Sequence, residues 1–264
     1  MNIPLRSAAD PWLDGRPPHI PSDGSPLPEV CLLPGDPARV GLAAPLFDSF
    51  EIIGSRREFT LAVGSYRGTS IAICSTGIGG PSTEIALIEL HRLGVRTFIR
   101  VGGMGASNPS VAPGSLTSVQ RTFREGGAAR FYDSSTEPVS ADPSVAAALE
   151  RAARTRDETL LPVSTLSCDS YYLGEGRPVS GFEDFARDRL RHVTELGADA
   201  MDMECETVFV IARALNARYG ALLAAHGNRA TDEWLEDYEP VQLRLLQVAL
   251  DASVNLTPTD RLGP

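Results

Sequence analysis

Three short apolar runs in this chain each end at a glycine-rich stretch, and that pattern constrains the fold more than any other feature. Val30-Cys31-Leu32-Leu33 stops at Pro34-Gly35-Asp36-Pro37. The segment 69–75 leads into Gly77-Ile78-Gly79-Gly80, and Thr97–Val101 ends in Gly102-Gly103-Met104-Gly105. Runs of this length, bounded by turn residues, read as buried strands. Pro37 suits the first turn of a helix, with Asp36 as its cap. Residues 83–93 carry apolar side chains at 85, 86, 87, 88, 90 and 93 and read as a buried helix. Strands alternating with helices predict an α/β fold with its sheet covered on both faces.

The remaining pattern extends this reading. Strands are expected at 58–65 and 69–75, with Tyr66-Arg67-Gly68 as the turn between them, and at 159–166 and 221–225. Segment 107–140 reads as loop-rich with some strand. Helices are expected at 142–156, 182–192, 203–218 and 238–254. Residues 1–28 are rich in Pro, Ser and Asp, have no period, and form an arm. No linker interrupts 29–256, so residues 29–264 are taken as a single domain.

Composition removes several function classes. The 264 residues carry 24 basic side chains, all arginine, against 34 acidic ones, for a net charge of -10. A nucleic-acid partner is not expected, because backbone phosphates call for a basic surface. No apolar run approaches the ~18 residues of a membrane span, and the N-terminus lacks the apolar core of a secretory signal. Cys31, Cys74, Cys168 and Cys205 fit neither a metal site nor a disulfide framework. A cytoplasmic protein with reduced thiols is the expectation.

In open α/β sheets ligands bind beyond the carboxyl ends of the strands, where glycines let backbone N–H groups approach an anion. Arg39 lies one helical turn after Gly35, Arg100 just before Gly102, and Arg57 is expected to open the 58–65 strand. Guanidinium groups hold phosphate in a bidentate fashion. The chain has no lysine and matches neither GxxxxGK[ST] nor GxGxxG, which disfavours a nucleoside triphosphate or NAD.

The segments LLPGDPARV (32–40), SRREFT (55–60), STGIGGPSTEIAL (75–87), RVGGMGA (100–106), MDMECET (201–207) and GNRATDE (227–233) together resemble the nucleoside phosphorylase-I family. They look closest to its uridine phosphorylase branch, in order from about His19 to Asn255. The resemblance implies a single-domain three-layer αβα fold with a central mixed, partly barrel-like sheet. It implies phosphorolysis: a pyrimidine-type nucleoside, modified or not, and phosphate give free base and pentose 1-phosphate. Inorganic phosphate is then the co-substrate, and no organic cofactor is needed. Gly35, Arg39, Arg100 and Gly103 would hold phosphate, with Arg57 reaching it across a dimer interface. His19, in Pro18-His19-Ile20, would reach the sugar of the neighbouring subunit's site. Met203 would line the sugar, and Glu204 would accept hydrogen bonds from its 2′- and 3′-hydroxyls. Tyr171, Glu175, Arg177 and Arg229 would meet the base. Arg229, Glu204 and Arg100 would carry the catalysis. Glu58, Ser75 and the Ile71 backbone match positions that bind a monovalent cation, potassium, in some members. A homo-oligomer is implied, a dimer at least and a hexamer built as a trimer of dimers by likeness to the family.

The chain also departs from the family pattern. Purine members carry a Ser-Asp pair whose Asp protonates purine N7; here Asn228-Arg229 stands in its place. SCDSYYLGEGR (167–177) resembles the SSDTFYPGQER of uridine phosphorylases. Tyr171 replaces a phenylalanine, and Glu175 replaces the glutamine that reads uracil through a donor and an acceptor. An ionised glutamate only accepts, so Glu175 either alters base preference or pairs with Arg177 and faces away. Gly103 replaces a threonine or serine and loses its hydroxyl. Two other readings therefore stand beside the phosphorylase: a nucleoside hydrolase on the same fold, and a non-catalytic nucleoside or nucleotide binder.

Overall fold

A computed structural model of the chain describes residues 7–256. Its strands are β1 (Val30–Leu33), β2 (Ser49–Arg56), β3 (Phe59–Tyr66), β4 (Thr69–Cys74), β5 (Thr97–Ala106), β6 (Leu116–Glu125), β7 (Val139–Ser140), β8 (Leu160–Cys168), β9 (Ala200–Asp202), β10 (Arg218–Asn228) and β11 (Glu233–Trp234). Its α-helices are α1 (Pro37–Leu42), α2 (Gly80–Arg92), α3 (Pro143–Thr155), α4 (Glu183–Glu195), α5 (Cys205–Ala214) and α6 (Glu239–Val254). The strands form one mixed sheet in the order β11-β10-β6-β8-β9-β5-β1-β4-β3-β2, and β10 also pairs with β5. That extra pairing closes β5, β10, β6, β8 and β9 into a five-stranded barrel, as expected of the sheet.

Helices cover both faces. Ala86, Leu87 and Leu90 of α2 and Val208–Ala212 of α5 share one apolar cluster with the sheet. Val40 of α1, Val145 and Leu149 of α3 and Leu245, Leu246 and Val248 of α6 share the other. The sequence dictates much of this locally. Asp36 caps α1 by accepting the Ala38 N–H at 2.9 Å, with Pro37 in the first turn. Asp142 caps α3 in the same way.

The structure corrects four expectations. β2 is an unexpected strand; its side chains are mostly exposed and its pairing with β3 is interrupted by a bulge, so no apolar alternation marks it. Arg57 does not open a strand but sits in the β2–β3 turn at φ 54°. β5 does not stop at Val101; Gly102–Gly105 continue it, because β10 pairs along the whole stretch and β9 pairs at Gly105 and Ala106. The helix expected over 203–218 spans only Cys205–Ala214: Met201 and Asp202 belong to β9, and Asn216 turns the chain at φ 54°.

The arm packs against the body of the same chain. Glu89 of α2 accepts the backbone N–H groups of His19 and Ile20 at 3.1 and 2.7 Å. Ile20 is fully buried, and Arg92 stacks over the Trp12 ring at 4.2 Å.

Candidate active site

A cavity of about 680 Å³ opens beyond the carboxyl ends of β1, β4, β8 and β9. β5 runs along it from Arg100 to Gly105. Gly35, Asp36 and Arg39 enter from the β1–α1 turn, Gly77 and Ile78 from the β4–α2 turn, and Met203 and Glu204 from the β9–α5 junction. Tyr171, Glu175 and Arg177 come from the loop after β8, and His226 and Trp234 from β10 and β11.

Arg100 is the electrostatic centre. It is 4% exposed, and its Nε donates to Asp202 Oδ2 at 2.9 Å while Nη2 pairs with Glu204 Oε2 at 2.5 Å. Burial alone would weaken its hold on a proton, but Glu204 and Asp202 outweigh burial and raise its pKa above the ordinary arginine value. Gly102 makes the geometry possible: a Cβ there would lie 2.9 Å from Arg100 Cζ. Glu204 also accepts the Gly79 N–H at 2.5 Å, and Gly79 takes φ 89° to present it. Asp202 is a holder that sequence reasoning missed. Its Oδ2 accepts the N–H groups of Glu204 and Cys205, and Oδ1 accepts the Ser167 hydroxyl. It thus accepts the first N–H of α5 and fixes Arg100 with one side chain.

Arg39 joins Arg100 at the same end. Its Nη1 donates to the Val101 carbonyl at 3.2 Å, but its buried Nε has no hydrogen-bond partner. Burial, reinforced by the neighbouring Arg100 charge, lowers its pKa from the usual arginine value. Two guanidiniums beside glycine backbone, one with an unsatisfied buried N–H, form a ready anion site.

At the other end, Arg177 lies 3.7 Å over the Tyr171 ring and donates through Nη1 to the Tyr171 carbonyl and to Glu175 Oε2. Glu175 is 3% exposed; burial pushes its pKa up, against the opposing pull of Arg177. Glu175 thus pairs with Arg177, yet both side chains still line the cavity. A stack of three rings, of which His226 and Trp234 line the cavity and Tyr238 lies behind them, was also missed. His226 stacks between Trp234 and Tyr238, each 4.1 Å away, and burial and then Arg39 lower its pKa. Only the side-by-side rings reveal it, because residues 226, 234 and 238 share no sequence period.

The sequence matches the phosphorylase superfamily over residues 29–253. It is 37% identical to a uridine phosphorylase of Thermococcus kodakarensis, covering 82% of this chain and 79% of that protein. It is 34% identical to a guanosine phosphorylase of Halorubrum lacusprofundi, over 80% and 83% of the two chains. A uridine phosphorylase of Escherichia coli is 32% identical, over 77% and 82%. The chain belongs to the phosphorylase superfamily.

Several expected residues of this phosphorylase-superfamily chain stand away from its own cavity. His19 and Arg57 do not line it: His19 Nδ1 lies 2.7 Å from Glu89 Oε1, and Arg57 is exposed in its turn. Arg229 sits behind the 171–177 loop, where Nη2 donates to the Gly176 carbonyl at 3.1 Å and the buried Nε has no partner. Asn228 is spent structurally: Nδ2 donates to the Asn108 and Val111 carbonyls, and Oδ1 accepts from Ala230 and Thr231. Glu58, by contrast, lines the cavity and its carbonyl accepts the Ser75 hydroxyl at 2.6 Å, while Ser75 and the buried Ile71 do not line it. Among the described residues no helix is long and apolar enough to cross a membrane.

Gly103 has a local cause. A Cβ there would stand 3.1 Å from Tyr238 Oη, which itself donates to the Ala224 carbonyl at 3.2 Å. Gly103→Thr is therefore expected to cost about 1–3 kcal/mol by overpacking, and Tyr238→Phe in the same chain should recover most of it. Denaturant midpoints of the two variants check this; a fully stable Gly103→Thr single variant would overturn it.

Proposed function

We propose that the chain is a nucleoside phosphorylase that splits the N-glycosidic bond of a pyrimidine-type nucleoside with inorganic phosphate. The carrying observation is the convergence of Arg39, Arg100 and Gly35 at one end of a cavity whose middle holds Glu204. Water as the attacking group would need no such pair of guanidiniums, so the arrangement favours phosphate over hydrolysis. The names of the relatives, uridine and guanosine phosphorylases, agree with this reaction.

The proposed mechanism follows from the order of groups along β5. Phosphate binds against Arg39, Arg100 and the Gly35 and Gly103 backbone. Glu204 accepts the sugar's 2′- and 3′-hydroxyls while Met203 covers one sugar face. A phosphate oxygen forms the bond to C1′ as the C1′–N bond breaks, and its electron pair leaves with the base. The sugar carries positive charge at the transition state, which the phosphate anion and the fixed Glu204 carboxylate stabilise. Arg177 faces the charge gathering on a base oxygen, and Arg229 steadies the loop from behind. Asn228-Arg229 offers no acid to protonate a purine N7, which supports the pyrimidine preference.

The reading includes a shared site in a cytoplasmic homo-oligomer, a dimer at least and a hexamer by likeness to the family. Residues 1–28, of which 1–6 lie outside the described residues, serve as the arm, with His19 and Arg57 completing the neighbour's cavity. In support, both lie outside their own cavity, and β2 exposes Ile52 and Ile53 at 53% and 41%. The four cysteines are free, as a reducing compartment requires. A potassium ion held by Glu58, Ser75 and the Ile71 carbonyl belongs to the same reading, on the adjacency of Glu58 and Ser75.

Mixing inactive Arg57→Ala chains with inactive Glu204→Gln chains tests the shared site. Mixed dimers should regain activity, because one of their two sites keeps both native residues. No recovery on mixing, with subunit exchange verified by mass, would contradict it.

A further inference from the structure

The Pro18-His19-Ile20 segment of the arm is held from two sides. Arg56, at the end of β2, donates through Nη1 to the Pro18 carbonyl at 2.9 Å. Pro21 lies against Gly54 of the same strand, where an added Cβ would stand 3.0 Å from the proline Cβ. On the other side stands the buried carboxylate of Glu89. Its Oε2 accepts the backbone N–H groups of His19 and Ile20, and its Oε1 lies 2.7 Å from His19 Nδ1. An ionised carboxylate only accepts, so Nδ1 carries the hydrogen. The other ring nitrogen, Nε2, makes no hydrogen bond among the described residues, and the side chain is 34% exposed. Pinning the arm needs only the two backbone N–H groups. The ring bond does something more: it fixes the direction of a partly exposed imidazole that stands outside its own chain's cavity.

We propose that Glu89 is a positioning residue for the sugar site. It holds His19 with Nδ1–H spent on its carboxylate and Nε2 turned outward, to accept the nucleoside's 5′-hydroxyl in the neighbouring subunit's cavity. The proposal deepens the shared-site reading and rests on it. In that reading Glu204 takes the 2′- and 3′-hydroxyls, so the 5′-hydroxyl is the one left for the arm. A carboxylate behind a histidine decides which ring nitrogen carries the proton and where the other points. Arg56 ties the same segment to the β2–β3 turn that carries Arg57, so one braced patch presents both His19 and Arg57.

The test compares kcat/KM at saturating phosphate for uridine and for 5′-deoxyuridine, which lacks only the 5′-hydroxyl. The native enzyme should favour uridine by about 3–10-fold, the contribution of one hydrogen bond. His19→Ala should bring that ratio to about one, and Glu89→Ala should do the same with His19 still present. Adding Glu89→Ala to His19→Ala should change the ratio no further, because Glu89 acts through the ring. Glu89→Asp keeps the charge but draws it back by one methylene, so its ratio should fall too; it gives the reading if Glu89→Ala does not fold.

A role confined to folding would lower both rates together and leave the ratio at its native value. That result in a folded Glu89 variant, beside a collapsed ratio in His19→Ala, overturns the proposal and leaves the shared site standing. A native ratio in His19→Ala overturns the placement of His19 at the sugar, and the proposal with it.

Discussion

Arg100→Met should lower the melting temperature by roughly 6–20 °C and remove phosphate-dependent turnover. The stability loss comes from the two carboxylates it leaves behind. Asp202 and Glu204 both pair with Arg100 and are nearly inaccessible. Breaking a buried ion pair by removing one partner costs about 3–5 kcal/mol. Each kcal/mol moves the midpoint of a chain this size by roughly 2–4 °C. Methionine fills part of the vacated volume but offers no donor. Calorimetry measures the shift, and high phosphate should fail to rescue activity. A variant that melts within roughly 2–3 °C of the native protein, on that same scale, would show that the triad is not the structural centre described above.

Glu204→Gln separates catalysis from folding. The amide keeps the shape of the carboxylate and can still accept the Gly79 N–H, and Arg100 retains Asp202. The amide NH2 then faces Arg100 Nη2 where the second carboxylate oxygen stood, so the melting temperature should fall, but by less than in Arg100→Met. Turnover should fall steeply, because the fixed negative charge opposite the sugar is gone. Each hydrogen bond between a charged group and a sugar hydroxyl contributes about 1.5–3 kcal/mol, so losing the charge-assisted part of two of them, about half of each, implies a drop in kcat/KM of about 10–10²-fold. Steady-state kinetics on the folded variant decides the matter. Activity within tenfold of native would remove Glu204 from the reaction.

The sequence carried the α/β frame wherever apolar period and caps agree with tertiary packing. Asp36-Pro37 and Asp142-Pro143 each start a helix as their residue types dictate. It misled where neighbours override local preference. Gly102–Gly105 look like a turn, yet they are strand because β10 and β9 pair with them. β2 shows no alternation because most of its side chains are exposed in this chain, Ile52 and Ile53 among them.

The site divides the same way. Gly35, Arg39, Arg100, Glu204 and Arg177 were legible because glycine turns and a recognisable motif mark them, and all line one cavity. Nothing in the sequence marks Asp202; its part in holding Arg100 and accepting the first N–H of α5 appears once β9 and β5 are adjacent. Glu175 pairs with Arg177, as one of its two readings expects, but lines the cavity instead of facing away from it. Arg229 was placed against the base, whereas it bonds the back of the loop that carries Arg177.

The most direct test of phosphorolysis is a product balance on the native enzyme with an accepted nucleoside, with and without inorganic phosphate. Base and pentose 1-phosphate should form one to one, with no release when phosphate is left out. Equal base release without phosphate, accompanied by free pentose, would contradict the assignment of Arg39 and Arg100 to the attacking anion.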